Sequence, residues 1–319
     1  MDMTRTHYRF LVGPEEAGLR LDQFIAGRGE ELSRTLVRKF VDLGGVHVDG
    51  RRSRRCSQAL SAGAKVEVFV DGLPLEPYRL DEAAVIYRDP YLLAVDKPAG
   101  IETQPTPARF KGTLYAALLD YLHDPFRPHQ APTLGMVQRL DRDTSGVMVF
   151  SIHQRAHRAL TEAFAGRQVR KIYLAVVAGR MPAAEGEFRS LLARNRATNK
   201  VKSVEKGGKE AITRYRVRET FAAATLVEVE ILTGRSHQIR VHLAEAGHPL
   251  LGDSRYGGPG IWQGHPVARQ MLHAWRLAFR HPVSGESMEL EAPVPADMAG
   301  LMAELRREKS EKPETCNLA

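Results

Sequence analysis

Apolar and polar residues alternate with two different periods along this 319-residue chain, and each change of period marks an element. Near the front, Arg20-Leu21-Asp22-Gln23-Phe24-Ile25 has the spacing of a short helix. Ser33 stands where a helix cap belongs. After it Leu36, Val37, Phe40 and Val41 recur at helical spacing, leaving Arg34, Arg38 and Lys39 on the other side. Gly44 and Gly45 stop that helix. Val46-His47-Val48 then reads as a strand, Asp49-Gly50 as a tight turn into Arg51-Arg52-Ser53-Arg54-Arg55, and Lys65-Val66-Glu67-Val68-Phe69 as a closing strand. Residues 10–70 are expected to form a small αβ unit with two arginine-rich elements close together.

Residues 71–84, with Pro74 and Pro77 and little periodicity, read as a linker. Between 85 and 300, Val85-Ile86-Tyr87, Leu92-Leu93-Ala94-Val95, Val147-Met148-Val149-Phe150 and Lys171 to Val177 are strand-like, and Ala156 to Phe164 is helical. Neither a regular strand–helix alternation nor a repeat period is present, so the expectation is an α+β domain built on a mixed, largely antiparallel sheet. Residues 301–319 form a polar tail, expected to fray from about Leu305.

Composition narrows what such a chain does. A hydrophobic content of 43% over 319 residues is enough for two cored domains. The formal charge of +8 makes a polyanion the natural partner. No apolar stretch approaches the roughly 20 residues that span a bilayer, and the opening residues lack the apolar centre of a secretory signal, so a cytoplasmic protein is expected. Cys56 and Cys316 have no ligand spacing, and His237 and His242 are five apart with no acidic motif beside them. With no phosphate-binding glycine loop either, neither a metal nor a cofactor is expected.

Two segments carry candidate chemistry. Gln138-Arg139-Leu140-Asp141-Arg142-Asp143-Thr144-Ser145-Gly146 is a polar loop feeding a rigid apolar strand, which suits a carboxylate held in fixed geometry. On spacing alone its ordinary reading is a solvated turn. In Leu226 to Leu232, alternation puts Val227, Val229 and Ile231 on one face, leaving Leu232 with Glu228 and Glu230 on the other, as a cleft floor requires. Ser236 is expected to cap the next helix, with Ile239, His242, Leu243 and Ala246 as its buried stripe and Arg235 just outside. The ordinary role of Arg235 is a structural salt bridge.

These segments and three others resemble, in order, the motifs of the RluA-type pseudouridine synthases. Arg139-Leu140-Asp141-Arg142-Asp143-Thr144-Ser145-Gly146 resembles the catalytic loop, Asp96-Lys97-Pro98-Ala99-Gly100 the early Lys-Pro-x-Gly element, and Val169-Arg170-Lys171-Ile172-Tyr173 the stretch with the active-site tyrosine. Leu232 to Arg240 followed by Leu251 to Gly257 resembles the arginine-bearing motif, and Leu272-His273-Ala274 with His281-Pro282 the closing strand. Residues 10–70 resemble the small RNA-binding module named after a small-subunit ribosomal protein, the S-four-like domain; the alternative there is a solvated charged helix and turn.

The resemblance implies isomerisation of uridine to pseudouridine without a cofactor. It makes Asp141 the nucleophile, Arg235 the cation that pairs with it, Tyr173 a ring that stacks on the base, and Leu232 an apolar seat. Arg139 enters the gap left by a flipped base, while Lys171 and Asn199-Lys200-Val201-Lys202 contact phosphates. Arg34, Arg38, Arg51 and Arg52 present the basic face of the front module. That module favours large-subunit ribosomal RNA over transfer RNA as substrate; with no exposed heptad or obvious apolar patch in the sequence, a monomer is expected. Gln138 departs from the family, which usually has histidine there, so any role needing a titratable ring is absent. Two alternatives stay open: an RNA-binding protein without activity, and a carboxylate hydrolase acting on a glycosidic bond, with Asp143 as the only neighbouring acid.

Overall fold

The structure, a computed structural model, describes residues 5–195 and 198–311. Contacts divide it into two units: residues up to Asp81 together with Ile101–Pro132, and Glu82–Gly100 together with the residues from Thr133 on.

The first unit is an antiparallel sheet with a helix pair. Strands β1 (Thr6–Leu11), β2 (Val46–Val48), β3 (Arg51–Arg52) and β4 (Lys65–Val70) lie in the order β1-β4-β2-β3. Helices α1 (Leu21–Arg28) and α2 (Arg34–Leu43) pack with it, and α3 (Leu114–Tyr121) lies in the returning segment. As the pattern predicts, Ser33 caps α2 by accepting from the Leu36 N–H, and Gly44 ends it in a left-handed turn at φ 90°. The apolar stripe Val37, Phe40 and Val41 is buried with Phe24, Ile25, Val66 and Val68. β1 was not anticipated; its burial alternates strictly, but Thr6 stands on its inner face and Leu11, 61% exposed, on its open one, which breaks the alternation in the sequence. Asp71, at the head of the expected linker, is tied to buried Arg109 at 2.6 and 2.7 Å.

The second unit is an 11-stranded sheet. It comprises β5 (Val85–Arg88), β6 (Leu92–Lys97), β7 (Gly135–Met136), β8 (Ser145–Ser151), β9 (Arg170–Ala178), β10 (Glu185–Arg194), β11 (Val201–Val204), β12 (Lys209–Thr220) and β13 (Ala224–Ile231). After a two-stranded hairpin, β14 (Ile261–Trp262) and β15 (His265–Pro266), it is completed by β16 (Leu272–Arg280) and β17 (Ser287–Glu291). The order is β11-β10-β12-β13-β9-β16-β8-β6-β5, with β17 on β16 and β7 on β8. The β16–β8 pair is parallel and the others antiparallel, so the sheet is mixed and largely antiparallel, as expected.

Helices α4 (Gln154–Ala165), α5 (Gln238–Glu245) and α6 (Ala296–Glu311) complete this α+β unit. Ala156 and Leu160 of α4 bury against Leu92, Val147 and Val149, and Met298, Leu301, Met302 and Leu305 of α6 against Leu174, Val176 and Leu226. The C-terminal stretch therefore does not fray at Leu305, which is buried in the core; α6 continues to Glu311, and residues 312–319, with Cys316, lie outside the described residues. Among the described residues, no helix is long and apolar enough to cross a membrane.

Candidate active site

The loop after β7 carries Asp141 between two anchors. Leu140 is buried beneath it, and the Thr144 N–H donates back to the Asp141 carbonyl at 3.1 Å, closing a turn. β8 then begins at Ser145, where it runs parallel to β16. Gly146 has φ 118°, and a Cβ there would meet the Ala274 carbonyl oxygen at 2.2 Å, so only glycine allows that approach. From the other side Lys97, at the end of β6 and fully buried, donates from Nζ to the carbonyls of Pro98, Arg142 and Thr144 at 2.8 to 2.9 Å. One ammonium thus gathers the backbone on both sides of Asp143 and holds the loop in register with the sheet.

The cation on Asp141 is Arg240. Its Nη1 donates to Oδ2 at 2.8 Å, while Nε and Nη2 grip both oxygens of buried Asp253 at 2.7 Å. The two carboxylates raise the Arg240 pKa against the opposing effect of burial. The expected partner, Arg235, is placed differently: its Nε donates to the Glu210 carbonyl at 2.9 Å and its N–H to Gln238 Oε1. The reason lies in the helix start. α5 begins after His237, not after Ser236, and it is buried on nearly every side, including Gln238, Arg240 and Val241, whereas Ala246 is exposed. With no clear stripe to read, a buried arginine one turn inside the helix gives no periodic signal, while Arg235 in a polar loop attracts attention.

α5 is fastened to the sheet by its polar side chains. Gln238 Nε2 donates to the Ile212 carbonyl and to Thr213 Oγ1, His242 bonds Thr213 Oγ1 at 2.8 Å and Ser190 Oγ at 3.0 Å, and Ser203 bridges Ser190 to Glu245. Such a satisfied network fixes a helix more tightly than apolar contacts alone.

Tyr173 lies on β9 opposite Val229 and Ala274, almost fully buried. Burial, reinforced by the Asp141 charge, pushes its phenol well above the ordinary value, which favours the neutral, hydrogen-bond-donating form. Leu232 is half-buried at the end of β13, whose Val227, Val229 and Ile231 are buried and Glu228 and Glu230 partly open, as alternation predicts. Lys171 is buried beside Phe164, and its pKa is lowered by burial and then by the neighbouring Arg167 and Arg235. Arg139 is exposed. The Gln138 amide nitrogen is buried without a hydrogen-bond partner. Asp143 is held by the adjacent Arg142 fork at 2.9 Å.

In the first unit, buried Asp22 draws three guanidinium groups together: Arg20 at 3.0 Å, Arg38 at 3.3 Å and Arg34 at 3.4 Å, each 42 to 55% exposed. Arg20, which pattern reading did not single out, is the strongest influence holding the Asp22 carboxyl far below the usual range. Arg51 is exposed. Arg52 turns inward, donating to the carbonyls of Gly44 and Thr106, and is committed to the fold.

Residues 91–245 match the family model described as RNA pseudouridylate synthase. An uncharacterized RNA pseudouridine synthase of Bacillus subtilis is 35% identical over 92% of this chain and 96% of its own length. A protein of Xanthomonas campestris named ribosomal large subunit pseudouridine synthase D is 36% identical over 95% of this chain and 94% of its own. Among solved structures, human RNA pseudouridylate synthase domain containing 4 shares the fold, with a TM-score of 0.59 at 24% identity over 70% of this chain and 93% of its own. An α+β sheet enzyme with a loop-borne carboxylate gripped by a buried arginine is thus what the chain builds. It belongs to the RNA pseudouridine synthase family, isomerases that act on RNA.

Proposed function

We propose that this protein converts uridine to pseudouridine in large-subunit ribosomal RNA, with Asp141 as nucleophile and no cofactor. The observation that carries the proposal is the asymmetric hold on Asp141: Oδ2 is engaged by Arg240, and among the described residues no donor stands within hydrogen-bond distance of Oδ1. The reaction breaks the bond between ribose C1′ and uracil N1, turns the base and rejoins C1′ to C5, which loses its proton. A carboxylate oxygen that adds to sugar or base and later departs with its electron pair meets that need. The names of relatives such as the Xanthomonas campestris protein support ribosomal RNA as the substrate, and a cytoplasmic monomer fits it.

The target uridine must leave its stack, at a cost of roughly a few kcal/mol. Stacking on Tyr173 recovers about 1–3 kcal/mol, Leu232 seats the base, and Arg139, exposed on the catalytic loop, fills the gap. Lys171 and Arg235, which lie near each other, suit a backbone phosphate, as do Lys200 and Lys202. Arg20, Arg34, Arg38 and Arg51 form the basic face of an S-four-like front module, and Arg52 supports it from within.

A hydrolase would need a second acid free to activate water. Asp143 and Asp253 are both held in arginine forks. Tritium release from ribosomal RNA labelled at uridine C5 tests the proposal. Release by the native chain and none by Asp141→Asn is expected. Free uracil as the product would favour hydrolysis, and no release, despite tight binding to RNA lacking the modification, would overturn the assignment.

A further inference from the structure

His237 enters α5 with a left-handed backbone, φ 53° and ψ 20°. Outside glycine and the Asn/Asp pair that conformation is seldom adopted, and it persists only where the surroundings demand it. The ring makes no capping hydrogen bond. Its Nδ1 lies 2.6 Å from the Tyr256 hydroxyl, and its Nε2 faces Oδ1 of Asp141 across 3.8 Å.

The hydroxyl decides where the ring carries its proton. The Val201 N–H donates to the Tyr256 oxygen at 3.1 Å, and among the described residues Nδ1 is the acceptor that stands within reach of the phenol hydrogen, so that hydrogen is assigned to Nδ1. A neutral imidazole that accepts at Nδ1 bears its hydrogen on Nε2. Tyr256 is itself fixed, with its ring face 5.0 Å from the Arg240 guanidinium carbon. Burial lowers the His237 pKa more than the charge of Asp141 raises it, and Arg240, Arg255 and Arg194 add to the lowering.

We propose that His237 is a positioning residue of the isomerisation: Tyr256 locks it as the Nε2–H tautomer, and that N–H faces the oxygen of Asp141 that Arg240 leaves open. The inference rests on Asp141 being the nucleophile. When the bond between Oδ1 and the substrate breaks, its electron pair returns to Oδ1, and a neutral donor aimed there receives the developing charge without giving up its proton. Released from Tyr256, the ring would turn a lone pair toward the carboxylate or take a second proton.

The test is a nitrogen-15 spectrum of the histidine-labelled full chain, with the His237 ring identified by its loss in His237→Asn, a substitution that tolerates the left-handed backbone. The Nε2–H tautomer is expected at neutral pH in the native chain, and mixed tautomers in Tyr256→Phe. In tritium release, Tyr256→Phe should lower kcat about tenfold with little change in KM, and add a pH limb that the native profile lacks. His237→Asn should lose a similar factor without that limb. A native Nδ1–H tautomer or imidazolium, or Tyr256→Phe with native kcat and profile, overturns the proposal. The spectrum needs no turnover, so an active Asp141→Asn would sink the nucleophile assignment separately, leaving the tautomer reading to stand or fall alone.

Discussion

Arg240 holds Asp253 with two nitrogens at 2.7 Å, and this fork aims its remaining Nη1 at Asp141, 2.8 Å away. Asp253 is 1% exposed and performs no chemistry in water; its part is to set the plane of the guanidinium. A lysine in place of Arg240 has no plane to set and cannot serve both carboxylates at once. Arg240→Lys is therefore expected to lower kcat at least about 100-fold, about 2.7 kcal/mol of transition-state stabilisation, with KM little changed. Asp253→Asn keeps the shape but loses one charge and one acceptor, and should fall between the two. Tritium-release kinetics decide it; a kcat in Arg240→Lys within threefold of native would show that the pair is structural.

Lys97 makes the corresponding prediction for the loop backbone. Its ammonium is fully buried and serves three carbonyls, so Lys97→Met leaves those acceptors unpaired in the interior. Each such loss costs about 1–3 kcal/mol, and loosening beside Asp141 costs orientation as well. We expect a clear fall in the thermal midpoint and a larger proportional loss of kcat than of RNA affinity. Native stability in Lys97→Met would mean that the carbonyls find other donors.

How much of this could be read from the chain depends on whether a residue's role leaves a local pattern. β13 and α2 did, because one face of each is wet: alternation placed Val227, Val229 and Ile231, and Ser33 with Gly44 marked both ends of α2. Asp141 and Tyr173 come forward by resemblance and not by period, whereas alternation alone sets the face of Leu232. Arg240 was missed because α5 is buried nearly all round, which erases helical periodicity, and because its partners Asp141 and Asp253 are 99 and 13 residues away. Arg20 and Asp22 were hidden in the same way: a carboxylate one residue into a short helix reads as surface until the fold closes over it.

Asp96 predicts a pH dependence of stability. Burial on β6 raises its pKa to about 6, with Lys97 opposing. A carboxyl whose folded pKa lies above its unfolded value of about 3.9 contributes stability that is fully present below pH 4 and is lost as pH rises through 6. Asp96→Asn removes that loss, so its thermal midpoint should exceed the native one at pH 8 and approach it at pH 4. An equal offset at both pH values would place the Asp96 titration outside that window.

Asp22 gives the least intuitive expectation. On a face proposed to bind RNA, removing a negative charge should strengthen binding through counterion release. Here the carboxylate gathers Arg20, Arg34 and Arg38 while leaving each about half exposed, so they reach a phosphate already ordered. Without it, three long side chains must be immobilised on binding, at about 0.5–1.5 kcal/mol each, and they repel one another while unbound. That sum exceeds the roughly 1 kcal/mol gained at a wet surface from one fewer negative charge. Asp22→Asn should thus weaken RNA binding by about three- to tenfold, read as Kd at fixed salt on protein whose circular dichroism is native. Its acid unfolding should also shift: the depressed pKa of Asp22 contributes stability above about pH 4 that is lost as pH falls, and the variant should lack that loss. Tighter binding by the variant would show that the arginines act as separate charges, not as one arranged group.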